Sequence, residues 1–393
     1  MLDMVQLFRE NDTRDELGVG TVRDAFSDCF FPGTSTIQTR ARYMLFVPWT
    51  YRGLERREIS SADIAARARK EETKLITALL ESGDTDGVIG KDARAGLQRL
   101  PSSVYWSALE SWGIRQVHLS QDQYHRSLDA HYRRKRQVLV SEDRESVIDR
   151  EPENWDPALP EPPEGWPQKA TLALTRSEAT YLRERIFCQH GGSVLSHLID
   201  MESFVPADFL WEHPVVGSLP TSLQKTVMHA RNFSETIHGA ALCYNLMLSQ
   251  RRGNPDWVGQ YERALAVWTG KMLAHWEELT HWHDRLDHFW SSEPLATARV
   301  PSATVSFVNA WLAILLRDKG RVSAIAADTG LQSLLADREF RLKGSRSRLN
   351  GGRHLDMWSG VSGGQQLGFR WQVAQRMCAD IISGLKGEDS TDA

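Results

Sequence analysis

Along two long stretches of the chain, apolar residues recur at alternating steps of three and four. In the first, Leu223, Val227, Ala230, Ile237, Ala241, Tyr244 and Leu248 share a face, between Pro220-Thr221-Ser222 and Gly253-Asn254-Pro255. In the second, Leu265, Trp268, Met272, Trp276, Leu279, Trp282, Leu286 and Phe289 repeat the pattern up to Pro294. Side chains so spaced fall on one side of an α-helix, and the glycine and proline between the stretches predict an antiparallel pair. Ser302 to Leu316 is apolar nearly all round, which predicts a helix at the centre of a bundle. Trp371 to Leu385 predicts the last helix, ahead of a charged tail.

The first 140 residues predict shorter helices, punctuated by Pro32-Gly33, Pro48, Gly83, Gly87, Gly90 and Pro101. They run from Val22 to Phe31, Ser35 to Val47, Asp63 to about Ser82, Val104 to Trp112 and Asp122 to Gln137, the last ending in Arg133-Arg134-Lys135-Arg136. Strand-like alternation is confined to short pieces such as Gln137 to Val140, and no solenoid repeat is present. The expected class is therefore mainly α, built of helical bundles.

One stretch breaks the pattern. From Ser141 to Gln168 the chain carries nine acidic against two basic residues and six prolines. Proline fixes φ and removes amide donors, so neither helix nor sheet runs through it. Trp155 and Trp166 within it imply that it lies against a surface. The expected organisation is an N-terminal helical domain, 1–140, an acidic proline-rich linker or strap, 141–168, and a C-terminal bundle domain, 169–393.

Composition adds bounds rather than a function. The 393 residues, 41% hydrophobic and 25% charged, have ordinary globular make-up, and a formal charge of −4 excludes a uniformly basic nucleic-acid coat while leaving room for a basic face. Cys29, Cys188, Cys243 and Cys378 lie far apart without a Cys-x-x-Cys pair, which argues against a disulfide framework and a thiolate zinc site. Met1 to Glu10 reads as an amphipathic helix rather than a signal peptide. The apolar run Val305 to Leu316 is too short to span a bilayer. A cytoplasmic protein with no membrane partner is expected.

Several patterns invite chemistry. Glu235 with His238 and Glu278 with His281 form two Glu-x-x-His pairs, half of a carboxylate-bridged dimetal site, but the helix from Ser302 to Leu316 supplies no further acid. No metal and no cofactor is expected. His275, His281, His283 and His288 interleave with Trp276, Trp282 and Trp290; such residues suit the edge of a core, or a platform on which a base stacks. The string Gly360-Val361-Ser362-Gly363-Gly364 matches Gly-x-Ser-x-Gly, yet lacks the buried strand that a nucleophile elbow needs. Leu17-Gly18-Val19-Gly20 reads as a turn before a helix. No catalytic residue is assigned.

Two basic segments point to phosphate. Pro32-Gly33 followed by a helix bearing Arg40 and Arg42 has the outline of a helix-turn-helix, although Ile37, Tyr43, Met44, Leu45, Phe46 and Val47 make that helix more apolar than a groove reader. The stretch Arg341 to Arg353 holds no acid and carries Lys343, Arg346, Arg348 and Arg353 among glycines and serines. Small residues let backbone amides approach an anion while guanidinium groups supply charge.

Arg23-Asp24-Ala25-Phe26, Phe31-Pro32-Gly33-Thr34-Ser35-Thr36-Ile37-Gln38-Thr39-Arg40-Ala41-Arg42-Tyr43 and Val47-Pro48-Trp49 resemble the uncharacterised bacterial family called domain of unknown function 6361. Leu100-Pro101-Ser102-Ser103-Val104-Tyr105-Trp106, Trp112-Gly113-Ile114-Arg115 and Leu355-Asp356-Met357-Trp358 through Phe369-Arg370-Trp371 are similar to it too, so the likeness covers nearly the whole chain. The resemblance implies gene clusters of the antiphage-defence kind, with nucleases and helicases as neighbours, and no catalytic residue.

The reading that follows is a non-enzymatic helical subunit that contacts DNA or RNA phosphates and a nuclease or helicase partner. One alternative is an enzyme acting on phosphodiesters or nucleotides, with Asp356 or His354 in acid–base work. Another is a protein-binding scaffold that uses tryptophans and the proline-rich strap.

Overall fold

The computed structural model describes residues 15–93, 96–141, 153–201 and 203–387, the side chains of 138–141 apart. The amphipathic helix expected over Met1 to Glu10 lies outside them. The protein is mainly α: among the described residues the β-structure is one isolated antiparallel bridge, Arg115 to Trp155. Gln137 to Val140, a strand candidate, belongs to the helix Gln121–Ser141. Among the described residues no helix is long and apolar enough to cross a membrane.

The chain divides into two compact units that interleave in sequence, whereas the domains expected were consecutive. The first gathers residues up to Cys29, Phe209–Glu212 and Val216–Phe369; the second gathers Phe30–Asp208, His213–Val215 and the chain from Arg370 onward.

In the first unit the helix Thr221–Arg252 is the axis, closed by Gly253 in the left-handed region at φ 67. Pro255–Ala274 returns along it, as the apolar stripes predict. The pair is tight: a Cβ on Gly239 would lie 2.3 Å from the Trp268 ring. Trp268 donates its indole N–H to the Glu235 carbonyl at 2.7 Å, and Trp311 donates to that of Thr236 at 3.1 Å. The second stripe is not one helix. It breaks at His275 and again before Arg285, giving Pro255–Ala274, Trp276–His283 and Leu286–Trp290. At the first break the His275 ring is held by Glu235 at 3.1 Å and Arg231 at 2.9 Å. Ser302–Leu315 buries one face, with Phe307, Val308, Trp311, Leu312 and Leu315, and leaves Ala303 and Ala313 exposed. It is thus a flank of the unit rather than its centre. Arg338 sits buried over Phe307 and donates to the carbonyls of Leu17, at 2.8 Å, and Ala303, at 3.0 Å.

In the second unit the helix Tyr43–Arg56 buries the largest number of residues, ten of 14. It begins later than the sequence predicts, because residues 34–42 form turns instead of helix. Their amides find other acceptors: Gln38 takes the Ser35 N–H at 3.0 Å, and the Tyr105 hydroxyl takes those of Thr39 and Arg40 at 2.9 and 3.1 Å. The helix-turn-helix outline therefore has no second helix at Arg40 and Arg42.

Residues 153–168 of the acidic segment lie as a strap across the helix Tyr43–Arg56, and residues 142–152 fall outside the description. Trp155 is 2% exposed and donates to Glu55 at 2.9 Å; Trp166 stacks on Phe46 at 5.0 Å. Among the helices that escaped the sequence reading are two of 15 residues, Arg176–His190 and Thr329–Lys343. The first opens on a capping box, Thr175 with Glu178, and packs against Trp371–Lys386, where a Cβ on Gly384 would lie 2.8 Å from those of Leu174 and Ala179.

Candidate phosphate-binding loop

The arginine-rich stretch follows the helix Thr329–Lys343 in the first unit and is organised by a carboxylate. Glu339 is fully buried at the end of that helix. It accepts hydrogen bonds from Ser347 Oγ at 2.7 Å, from the amides of Leu349 and Arg348 at 2.9 and 3.0 Å, from Lys343 Nζ at 3.1 Å and from the Tyr244 hydroxyl. Burial alone would push this carboxyl up; the converging donors from Tyr244, Ser347 and the two amides outweigh it and hold the group at about 2. Burial and the neighbouring Glu339 keep the Tyr244 hydroxyl protonated, as a donor, far above its ordinary range.

A second buried acid, Glu16, completes the knot. It pairs with Lys343, and Arg348 Nη1 reaches it at 3.0 Å. Burial raises its pKa, but Lys343 and Arg348 prevail and lower it. Arg348 also donates to Ser362 Oγ at 2.8 Å, and the Asn245 amide clasps both backbone groups of Ser362 at 2.9 Å. Ser362 is therefore a buried structural hydroxyl that receives a guanidinium, with a turn where an elbow would need a strand.

Of the six basic residues expected to meet phosphate, four are engaged inside the fold. Arg42, 5% exposed, gives Glu178 a bond of 2.6 Å and the Thr171 carbonyl one of 2.9 Å. Arg40 holds both oxygens of Asp380 through Nε at 3.0 Å, and burial pushes that carboxyl up against the pull of Arg40. These two belong to the second unit. Lys343 and Arg348 serve the knot around Glu339 and Glu16. Arg346 and Arg353 are exposed and, with Arg341, have no ion pair among the described residues. Gly351 and Gly352, at φ 81 and 75, stand where a Cβ would meet nothing within 4 Å, so a ligand can approach their backbone.

Asp356, a candidate acid–base group, is paired with Arg252 beside the exposed His354. The Glu-x-x-His pairs do not converge. Glu235 faces Arg231 and His275, while His238 donates to the Gly364 carbonyl at 3.1 Å, and burial drops its pKa to about 4. Among the described residues no group of three or more histidines, cysteines or acids is placed to hold a metal. Sequence reasoning missed Glu16, Tyr244, Asn245 and Glu339, each a polar residue whose partner lies far along the chain. No curated protein and no solved structure matches this chain. Residues 2–384 match the family of unknown function DUF6361, and the chain belongs to that family.

Proposed function

We propose that the protein is a non-enzymatic helical subunit that holds nucleic-acid phosphates through the loop at 341–353, in the cytoplasm and within a bacterial antiphage-defence system. One observation carries the nucleic-acid part. The loop is pinned from beneath by a buried carboxylate, and the arginines it leaves exposed, Arg341, Arg346 and Arg353, have no ion pair among the described residues. Guanidinium groups on a rigid support bind phosphate with little ordering cost. The defence setting and a nuclease or helicase partner rest on what the family likeness implies about neighbouring genes.

The test is retention of a labelled duplex and a labelled single strand by the full chain, across a salt series, with and without divalent metal. We expect salt-sensitive retention without cleavage. Replacing Arg341, Arg346 and Arg353 together by alanine should flatten the slope of log affinity on log salt by about 0.9 for each duplex phosphate that is no longer neutralised. Retention that survives the triple substitution would remove the loop from the reading, and metal-dependent cleavage would replace a binding subunit with an enzyme.

A further inference from the structure

At the other end of the helix Thr221–Arg252 lies a cavity of about 380 Å³, walled by that helix and by the pieces Trp276–His283 and Leu286–Trp290. The loop described above plays no part in it. Two of its lining residues each carry a buried polar atom that folding leaves unanswered. Asn232 is 1% exposed, and its side-chain oxygen has no hydrogen-bond partner among the described residues; the same is true of the buried Glu278 Oε1. The other Glu278 oxygen is 3.5 Å from Arg231. Leaving an acceptor buried and unpaired costs about 1–3 kcal/mol, so such a pair is retained against stability. Both atoms ask for donors.

The neighbouring histidine supplies the opposite polarity. Trp282 donates its indole N–H to Nδ1 of His229 at 3.0 Å, so that nitrogen is bare and Nε2 carries the proton. Burial, and then the charge of His288, lower the pKa of His229 and keep the ring neutral. At the mouth stand Lys225 and Arg285, both exposed and with no ion pair among the described residues, together with His281 and His288. His288 has Asp287 at 3.7 Å, and Glu278 is the one acid in the lining. The lining also includes apolar surface from Met228, 44% exposed, and Trp282.

A ligand that fits presents an anion to Lys225 and Arg285, hydrogen-bond donors to Asn232 and Glu278, and a flat apolar face to Met228. We propose that this cavity binds a nucleoside phosphate. The phosphate meets the two cations, and hydroxyl or amino groups reach the two acceptors. The base lies on the methionine, whose thioether suits an aromatic face. The volume falls in the range of small-molecule sites. The same chemistry is offered by a free nucleotide and by the phosphorylated end of a strand.

Calorimetric titration of the full chain distinguishes these sources. The probes are purine and pyrimidine nucleoside mono- and triphosphates, inorganic phosphate, and a short oligonucleotide with either a 5′-phosphate or a 5′-hydroxyl. We expect saturable binding of a nucleoside phosphate, or of the 5′-phosphorylated strand over its hydroxyl form. Lys225→Glu and Arg285→Glu should each weaken it about tenfold or more while leaving thermal unfolding unchanged. Asn232→Leu, which removes the orphan oxygen at similar volume, should lose binding while the empty protein is as stable or more so. The proposal is overturned if none of these probes saturates at millimolar concentration, if inorganic phosphate competes as well as the nucleotide, or if the two charge reversals leave binding intact.

Discussion

Two buried glutamates show how local partners set opposite behaviours on the same side chain. Glu339 gathers donors and stays ionised, at about 2. Its stabilisation is present above the unfolded value of about 4.3 and lost as pH falls toward 2. Glu339→Ala leaves the Tyr244 hydroxyl, Ser347 Oγ and the amides of Arg348 and Leu349 without their acceptor and takes from Lys343 one of its two carboxylates, and should cost about 3–5 kcal/mol in urea unfolding at neutral pH. Glu72, 1% exposed, accepts from Ser102, through the amide at 2.8 Å and the hydroxyl at 2.7 Å, and feels the charge of Arg69. Burial dominates there and lifts its pKa to about 7, over the opposing bonds from Ser102. A folded pKa raised above the unfolded one means that the native state binds the extra proton. Glu72 therefore supports the fold fully below about pH 4.3 and progressively less as pH rises through 7, a loss on the order of 3 kcal/mol. Glu72→Gln keeps the shape without the titration. Buried histidines such as His238 give both proteins the same opposing slope, so the quantity to read is the unfolding free energy of the parent minus that of the variant: it should fall as pH rises from 5 to 7 and level off above, and parallel curves would deny Glu72 this role.

At the scale of elements, the pairing of Thr221–Arg252 with Pro255–Ala274 can be tested with two glycines. A methyl on Gly239 would enter the Trp268 ring, at 2.3 Å, whereas one on Gly270 meets nothing within 4 Å. Gly239→Ala should lower stability by about 1–3 kcal/mol through overpacking. Gly270→Ala, in the interior of an exposed helical turn, should raise it by about 0.4–1 kcal/mol by narrowing the unfolded ensemble. Denaturant melts that move in opposite directions confirm the register of the pair. That pair is legible in the sequence because a 3.6-residue period repeats over many turns. Residues 34–42 read as helix and fold as turns because side chains distant in sequence, above all Tyr105, capture their amides, and nothing local announces it. Arg176–His190 carries a local signal, the Thr-x-x-Glu box at Thr175, which a search for stripes alone passes over. The candidate loop is half legible. Its arginines stand together in the sequence, but Glu339, which decides which of them face solvent, bonds Tyr244 across 95 residues.

For the whole molecule, the interleaving of the two units determines where the chain can be divided. A cut at 168/169, at the end of the strap, looks natural from composition, since proline and acid fall away there. Within the second unit it separates Arg42 from Glu178, joined at 2.6 Å with side chains 6% and 5% exposed, and Arg40 from Asp380, joined at 3.0 Å. It also removes the packed pair Arg176–His190 and Trp371–Lys386 from the helix Tyr43–Arg56. Breaking one buried ion pair typically costs about 3–5 kcal/mol. Two such losses rival the whole stability of a domain, about 5–15 kcal/mol, before any apolar surface is counted. The fragment 1–168, which carries the second unit only from Phe30 to Gln168, should therefore fail to unfold cooperatively on heating, and coexpression with 169–393 should restore a sharp transition as the two pieces reassemble. Circular dichroism melts of the fragment and of the copurified pair decide it. A cooperative melt of 1–168 alone would mean that the N-terminal stretch folds as a consecutive domain and that the interactions across the cut are accessory.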